Sequence, residues 1–207
     1  MKAEVDGDTS SSSLSAARLA SLSDGMFGVA MTLLVTTLIL PVQALTGTAF
    51  NALHALGSAL SPVVLSFAIS GIFWLAQQRQ LSLTRSLTHL QTLLHFVFLF
   101  LIVLLPITTA LSGRGIDTQR VVMIYGTHLA LLGLTNLLLW IQVRSAAPPG
   151  RILGSSLTLA SLVAALTIGV VRPEAAQYFW YAGFVLPWVG RRIAQIIWKH
   201  DELQTPS

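Results

Sequence analysis

Long stretches without charged residues recur along the chain and predict an all-α polytopic membrane protein with six transmembrane helices. Each stretch is close to the roughly 20 apolar residues that cross a bilayer. The predicted helices cover residues 18–40, 52–78, 90–111, 121–143, 152–171 and 176–198. The sixth is the least regular, because its apolar run from Tyr178 to Val189 is short and is followed by Arg191 and Arg192. Residues 193–198 could instead continue as an amphipathic stretch at the membrane interface.

The predicted helices divide the chain into one membrane domain and two tails. The domain covers residues 18–199, and residues 200–207 form a short C-terminal tail. Residues 1–17 are polar, Ser-rich and partly acidic, unlike the positively charged start of a signal peptide. They predict a disordered N-terminal tail before an uncleaved first helix. The remaining loops are too short for a soluble catalytic domain, so an enzyme is not expected.

The composition agrees with a protein that lies in a membrane. The chain is 54% hydrophobic and 10% charged, whereas soluble domains are roughly 45–50% apolar and 25% charged. Cysteine is absent from the sequence, which excludes disulfides, thiolate nucleophiles and cysteine-based metal sites. The five histidines show no metal-ligand spacing. We therefore predict neither a bound metal nor a cofactor. The basic residues lie beside apolar spans and do not cluster into a patch, so no nucleic-acid partner is expected.

Basic residues are distributed unevenly between the two sides of the membrane that six helices define. The side that carries both termini has nine of them and the opposite side has three. The nine are Lys2, Arg18, Arg79, Arg85, Arg144, Arg151, Arg191, Arg192 and Lys199, and the three are Arg114, Arg120 and Arg172. Because cytoplasmic loops are enriched in Lys and Arg, we predict a multi-pass protein of the cell membrane with both termini in the cytoplasm.

Asp24 falls inside the first predicted helix, whereas the other seven acidic residues lie in tails or loops. An aspartate at the centre of a membrane helix costs roughly 2.5–3.5 kcal/mol, so it needs a polar partner or water. The candidate partners on the same side of the membrane are Gln77, Gln78, Arg79, His89 and His95. Two other interpretations stay open. Asp24 could cap the true start of the helix together with Ser21 and Ser23, or it could bind ions or relay protons.

A stripe of aliphatic and threonine side chains follows Asp24 along the same helix. Val29, Thr32, Leu33, Thr36 and Leu40 repeat at the spacing of one helix face. Spacing alone favours helix packing as the role of this stripe, because threonine is common where membrane helices approach closely.

The segment RLASLSDG at residues 18–25 resembles the signature Arg-x-x-x-Phe-Ser-Asp of prokaryotic members of the transmembrane protein 175 (TMEM175) potassium channel family. Leu22 stands where that signature has Phe. The resemblance continues through SFAISGIFWLAQQRQLSLTR in helix 2, FVFLFLIVLLPITTALSG in helix 3 and VVMIYGTHLALLGLTNLLLW in helix 4. In helix 2, Gln77 and Gln78 occupy positions where the family often carries a pair of histidines.

The resemblance implies a homotetramer of six-helix subunits in which helix 1 lines a central potassium pathway without a carbonyl selectivity filter. By position, it implies an apolar constriction at Val29, Leu33 and Thr36. Thr32 would form a polar ring next to it, where potassium would reside transiently. Arg18, Ser23 and Asp24, which are the polar residues of the signature, would form a network of polar contacts.

The leading functional hypothesis is therefore a potassium channel, with potassium as the permeant ion and the lipid bilayer as its surroundings. The alternatives are a proton-coupled secondary transporter with Asp24 as relay, a proton-permeable cation channel and a non-conducting membrane scaffold. The transporter is less favoured, because the sequence shows neither an internal repeat nor the paired broken helices of many transporters.

Overall fold

The computed structural model describes residues 15–38, 48–84, 86–111, 118–148, 150–173, 175 and 192. Within these residues the chain forms five helices: α1 (Ala16–Thr36), α2 (Ala49–Ser82), α3 (His89–Ala110), α4 (Thr118–Gln142) and α5 (Arg151–Val171). All five are long and apolar enough to cross a membrane, which agrees with the first five predicted helices. The sixth predicted helix apart from residue 192, residues 1–14 of the predicted N-terminal tail and the predicted C-terminal tail at 200–207 lie outside the described residues. Residues 15–17, which were predicted as the end of the N-terminal tail, form the cap and the first residues of α1.

The first helix begins earlier and ends earlier than predicted. The Ser15 side chain accepts a hydrogen bond from the backbone N–H of Arg18 and caps the N-terminus. The interpretation of Asp24, Ser21 and Ser23 as the cap is therefore wrong, because all three lie well inside α1. At the other end, α1 stops at Thr36 instead of residue 40. The backbone N–H groups of residues 37 and 38 turn to carbonyls three residues earlier, which tightens and ends the helix.

The second helix is the longest of the five. Its 34 residues extend for about 51 Å at 1.5 Å per residue, well beyond the roughly 30 Å thickness of a hydrocarbon core. Thr48 caps its start by accepting a bond from the Asn51 N–H. Pro62 lies within α2 and Pro106 within α3. Proline is tolerated in membrane helices because neighbouring groups satisfy the freed carbonyls.

His128 of α4 bonds to α3 on both sides of Pro106. Its Nε2 is 2.8 Å from the Leu101 carbonyl oxygen and its Nδ1 is 2.8 Å from Thr108 Oγ1. Because a carbonyl oxygen accepts, Nε2 carries the proton and donates. The histidine thus joins α3 to α4 as a hydrogen-bonded packing residue, as expected from its position in a membrane helix.

The core lies where α1, α2, α3 and α4 meet. α1 packs against α2 and α3, while α4 packs against α3 and α5. Three aromatic rings join the first three helices: Phe98 of α3 lies edge-on to Phe73 at 5.6 Å and tilted to Phe27 at 6.3 Å between ring centroids. Such aromatic pairs contribute about 0.5–1.5 kcal/mol beyond the area they bury, so the position of α1 is fixed by large side chains.

Polar side chains also cross the interior between helices. Ser66 Oγ of α2 lies 2.7 Å from Thr109 Oγ1 of α3 and 2.8 Å from Tyr125 Oη of α4. Gln80 Nε2 donates to the side-chain oxygen of Asn136 in α4 at 3.1 Å. In a membrane, such bonds between helices are worth about 0.6 kcal/mol on average, and they set the register of the helices.

Candidate pore helix and its polar anchors

The first helix has two faces of different character. One face is buried against α2 and α3 and carries Leu19, Ser23, Phe27, Ala30 and Leu34. Their spacing of three and four residues is that of one helix face. The opposite side of α1 makes no such contact in the described part of the subunit.

The stripe predicted from the sequence lies on that exposed side. Val29 is 57% exposed and Leu33 is 42% exposed, and Thr32 and Thr36 are also exposed. Leu40, the last member of the predicted stripe, lies outside the described residues. The structure thus brings four of the five side chains together on a surface that the described part of the subunit leaves uncovered. Whether this stripe packs against another helix or lines a pathway stays a prediction.

The two threonine hydroxyls of the stripe bond to the backbone of their own helix. Thr32 Oγ1 donates to the Val29 carbonyl at 2.8 Å, with the Gly28 carbonyl at 3.1 Å, and Thr36 Oγ1 donates to the Leu33 carbonyl at 2.7 Å. A hydroxyl oxygen has one proton and two acceptor lone pairs. With the proton directed into the helix, each oxygen presents its lone pairs to the exposed side.

Ser23 connects α1 to α2 from inside the bundle. Its hydroxyl donates to Oε1 of Gln77, and both side chains are fully buried. Nε2 of the same amide lies 3.2 Å from Nδ1 of His95 in α3. Because an amide nitrogen can only donate, His95 accepts through Nδ1. A single glutamine therefore links the candidate pore helix to two other helices.

Asp24 has a separate set of partners at the edge of the same interface. Oδ1 of its carboxylate accepts from Trp74 Nε1 at 2.7 Å and from Gln78 Nε2, while the side chain remains exposed. Gln78 was among the candidate partners in the sequence, and that prediction is confirmed. Gln77 and His95 were also candidates, but the structure joins Gln77 to Ser23 and His95 to Gln77.

Trp74 is the partner that the sequence analysis missed. An indole N–H is a donor that usually finds an acceptor when it is removed from water. Trp74 lies four residues before Gln78, and therefore on the same face of α2. These two facts together could have indicated it. Arg18, the first residue of the predicted signature network, is exposed at the start of α1, and its role stays a prediction.

The arrangement gives α1 a fixed orientation in the subunit. Two adjacent residues, Ser23 and Asp24, bond to α2 through different donors and acceptors, and the aliphatic face below them packs into the core. Rotation of α1 about its axis would break these bonds and expose buried apolar side chains together. The exposed stripe is therefore held in one orientation relative to α2 and α3.

Comparison with known proteins agrees with the resemblance found in the sequence. The family described as endosomal/lysosomal potassium channel TMEM175 matches residues 18–106, from the start of the signature to the proline of α3. A potassium channel from Streptomyces collinus is 25% identical over 166 residues, which are 74% of this chain and 81% of that protein.

The fold also matches a solved structure, titled as that of a lysosomal potassium-selective channel TMEM175 homolog from Chamaesiphon minutus. The TM-score is 0.72 at 18% identity, with 84% of this chain and 97% of that chain covered. These matches confirm the resemblance to the TMEM175 family. The proteins that the chain resembles are ion channels and not enzymes.

Proposed function

We propose that this chain, a member of the TMEM175 family, forms a potassium channel in which four copies of a six-helix subunit surround a central pathway lined by α1. The observation that carries the proposal is the two-sided character of α1. Ser23 and Phe27 hold one side in the subunit, and Val29, Thr32 and Leu33 stay exposed on the other. A helix fixed in this way is suited to line a pore shared by several copies.

Val29 and Leu33 form the apolar constriction of this pore, in two rings about 6 Å apart along the helix axis at 1.5 Å per residue. A narrow apolar ring blocks ions by dewetting, since a hydrated cation must lose water without gaining a ligand. The lone pairs of the Thr32 and Thr36 hydroxyls return part of that hydration, and Thr32 is the place where potassium resides transiently. Thr36 makes the constriction easier to wet than a leucine there would.

Selectivity in this pore does not come from a carbonyl filter. The dipeptide Tyr125-Gly126, which is found in carbonyl filters, is buried inside α4, where backbone carbonyls are already bonded within the helix. Both termini lie in the cytoplasm in this proposal, because the positive-inside asymmetry of the sequence requires it.

The test is single-channel recording of the purified protein in planar bilayers, with native mass spectrometry of the same sample to count subunits. The expected result is a tetramer that carries potassium-selective current without a coupling ion. Val29→Ser and Leu33→Ser should each raise conductance because they wet the constriction. Leu153→Ser is the matched control, since Leu153 is also 42% exposed but lies on α5. Folded protein without current would refute the proposal.

The proton-coupled transporter remains the second candidate because Asp24 is an acidic side chain on a membrane helix. It predicts saturable uptake driven by a pH gradient and abolished by Asp24→Asn. The channel predicts passive current that Asp24→Asn preserves, because the asparagine Oδ1 still accepts from Trp74 and Gln78. Flux measurements in liposomes with and without a pH gradient separate the two.

A further inference from the structure

The exposed side of α1 continues toward the start of the helix beyond the predicted stripe. Leu22 is 44% exposed, about as much as Leu33. At about 100° per residue it lies between Val29 and Leu33 in angle, roughly 20° from each. It is also about 10 Å below Val29 along the axis, since seven residues separate them. The adjacent Ser23 is anchored to Gln77, which holds Leu22 in this orientation.

Leu22, Val29 and Thr36 are spaced by sevens, and so are Gly25 and Thr32. Together they form a heptad pattern with two positions per repeat, which keeps one seam of each helix turned toward its partners when parallel helices surround an axis. Copies of α1 related by rotation around a membrane pore are parallel by necessity. Helices that bring Val29 and Thr36 to the axis through this pattern therefore bring Leu22 to it as well.

The position between Leu22 and Val29 in this pattern is Gly25, which has no side chain. A Cβ placed on Gly25 would meet nothing within 4 Å among the described residues. Copies of Gly25 around an axis would therefore leave a wider layer between the leucine ring and the valine ring. The pathway would then alternate between narrow apolar rings and a wider space for water.

We propose that Leu22 forms a second apolar ring of the pore, in series with the Val29–Leu33 constriction and separated from it by the glycine layer. This inference rests on the proposed channel and adds a permeation-determining residue to it. Because both rings must wet before an ion passes, each contributes its own resistance. The size of the side chain at position 22 then controls conductance even when the main constriction is unchanged.

The first experiment changes the size and polarity of residue 22 and measures single-channel conductance. If the two rings have similar resistance, removing one with Leu22→Ser raises conductance about two-fold. Leu22→Phe should lower it. Leu153→Ser and Leu153→Phe, at a similarly exposed leucine of α5, should leave it unchanged. A conducting wild type in which the residue 22 variants match their Leu153 controls would overturn the second ring but leave the channel intact.

The second experiment uses the absence of cysteine from the sequence, which makes an introduced thiol the single reactive site of each subunit. A cationic methanethiosulfonate reagent, applied from each side in turn, should reduce current through Leu22→Cys channels and leave Leu153→Cys channels unaffected. Modification of Leu22→Cys that is confirmed by mass spectrometry but leaves current unchanged would place this residue outside the pathway. Wild-type protein without current would instead refute the channel itself.

Discussion

The hydrogen bond between Ser23 and Gln77 offers a direct test of how α1 is held in place. Ser23→Ala removes the hydroxyl that donates to Gln77 Oε1 and leaves that oxygen buried without this donor. An unsatisfied buried acceptor costs about 1–3 kcal/mol. Bonds between membrane helices are weaker on average, with a measured maximum of about 1.7 kcal/mol. We therefore expect Ser23→Ala to lower the free energy of unfolding by about 1–2 kcal/mol.

The matched control is Ser21→Ala on the same helix. Ser21 is exposed and its hydroxyl donates to the Ala17 carbonyl of its own helix, so its loss should change the free energy of unfolding by less than about 0.5 kcal/mol. Unfolding is followed by tryptophan fluorescence during titration with SDS in mixed micelles. The five tryptophans provide the signal.

A double-mutant cycle then isolates the bond itself. Gln77→Leu removes the bonds to both Ser23 and His95, so Ser23→Ala should cost little in that background. The expected coupling between the two changes is therefore about 1–2 kcal/mol, the cost of Ser23→Ala in the wild type. Strict additivity of the two substitutions, or a Ser23→Ala variant as stable as Ser21→Ala, would show that this bond does not hold α1 in the bundle.

Three further predictions concern other contacts. Gly133→Ala places a Cβ 3.0 Å from Leu162 Cδ1 and should destabilise the protein by about 1–3 kcal/mol in the same SDS titration. The control is Gly57→Ala, where a Cβ meets nothing within 4 Å among the described residues, and which should be neutral or stabilising by up to about 1 kcal/mol. Equal effects of the two substitutions would refute the close packing of α4 on α5. Asp24→Asn should keep the proposed tetramer intact in native mass spectrometry, whereas Asp24→Leu, which removes the acceptor, should weaken it. Identical spectra for the two variants would mean that these bonds do not orient α1. His128→Leu removes the imidazole bonds to the Leu101 carbonyl and to Thr108 and should lower the free energy of unfolding by about 1 kcal/mol. An unchanged value would show that these bonds do not join α3 to α4.

The spans of the fold follow from local properties of the sequence, and the first five were therefore predictable. Apolar length alone located α1 to α5 to within a few residues. The start of α1 was less certain, because four serines at residues 10–13 precede Ser15 and any of them could cap a helix. Only the hydrogen bond to the Arg18 N–H distinguishes Ser15.

The candidate site was predictable as a set of residues but not as a set of pairs. An aspartate in an apolar helix indicates that a polar partner exists, and nearby glutamines on another helix are natural candidates. Which glutamine bonds to Asp24 and which to Ser23 depends on the rotation of α2 about its axis, a property of the whole bundle. The bond from Gln80 to Asn136 was missed for the same reason, since 56 residues separate the two.

The threonine hydroxyls of α1 also determine which sign of charge the proposed pathway favours. With their protons directed to the Val29 and Leu33 carbonyls, Thr32 and Thr36 offer a chloride ion no hydrogen to bind. The same oxygens face a potassium ion with their electron pairs. Discrimination against anions is thus built into the helix backbone without a ring of acidic side chains, and a reversal potential measured across a gradient of potassium chloride should lie near the value for potassium.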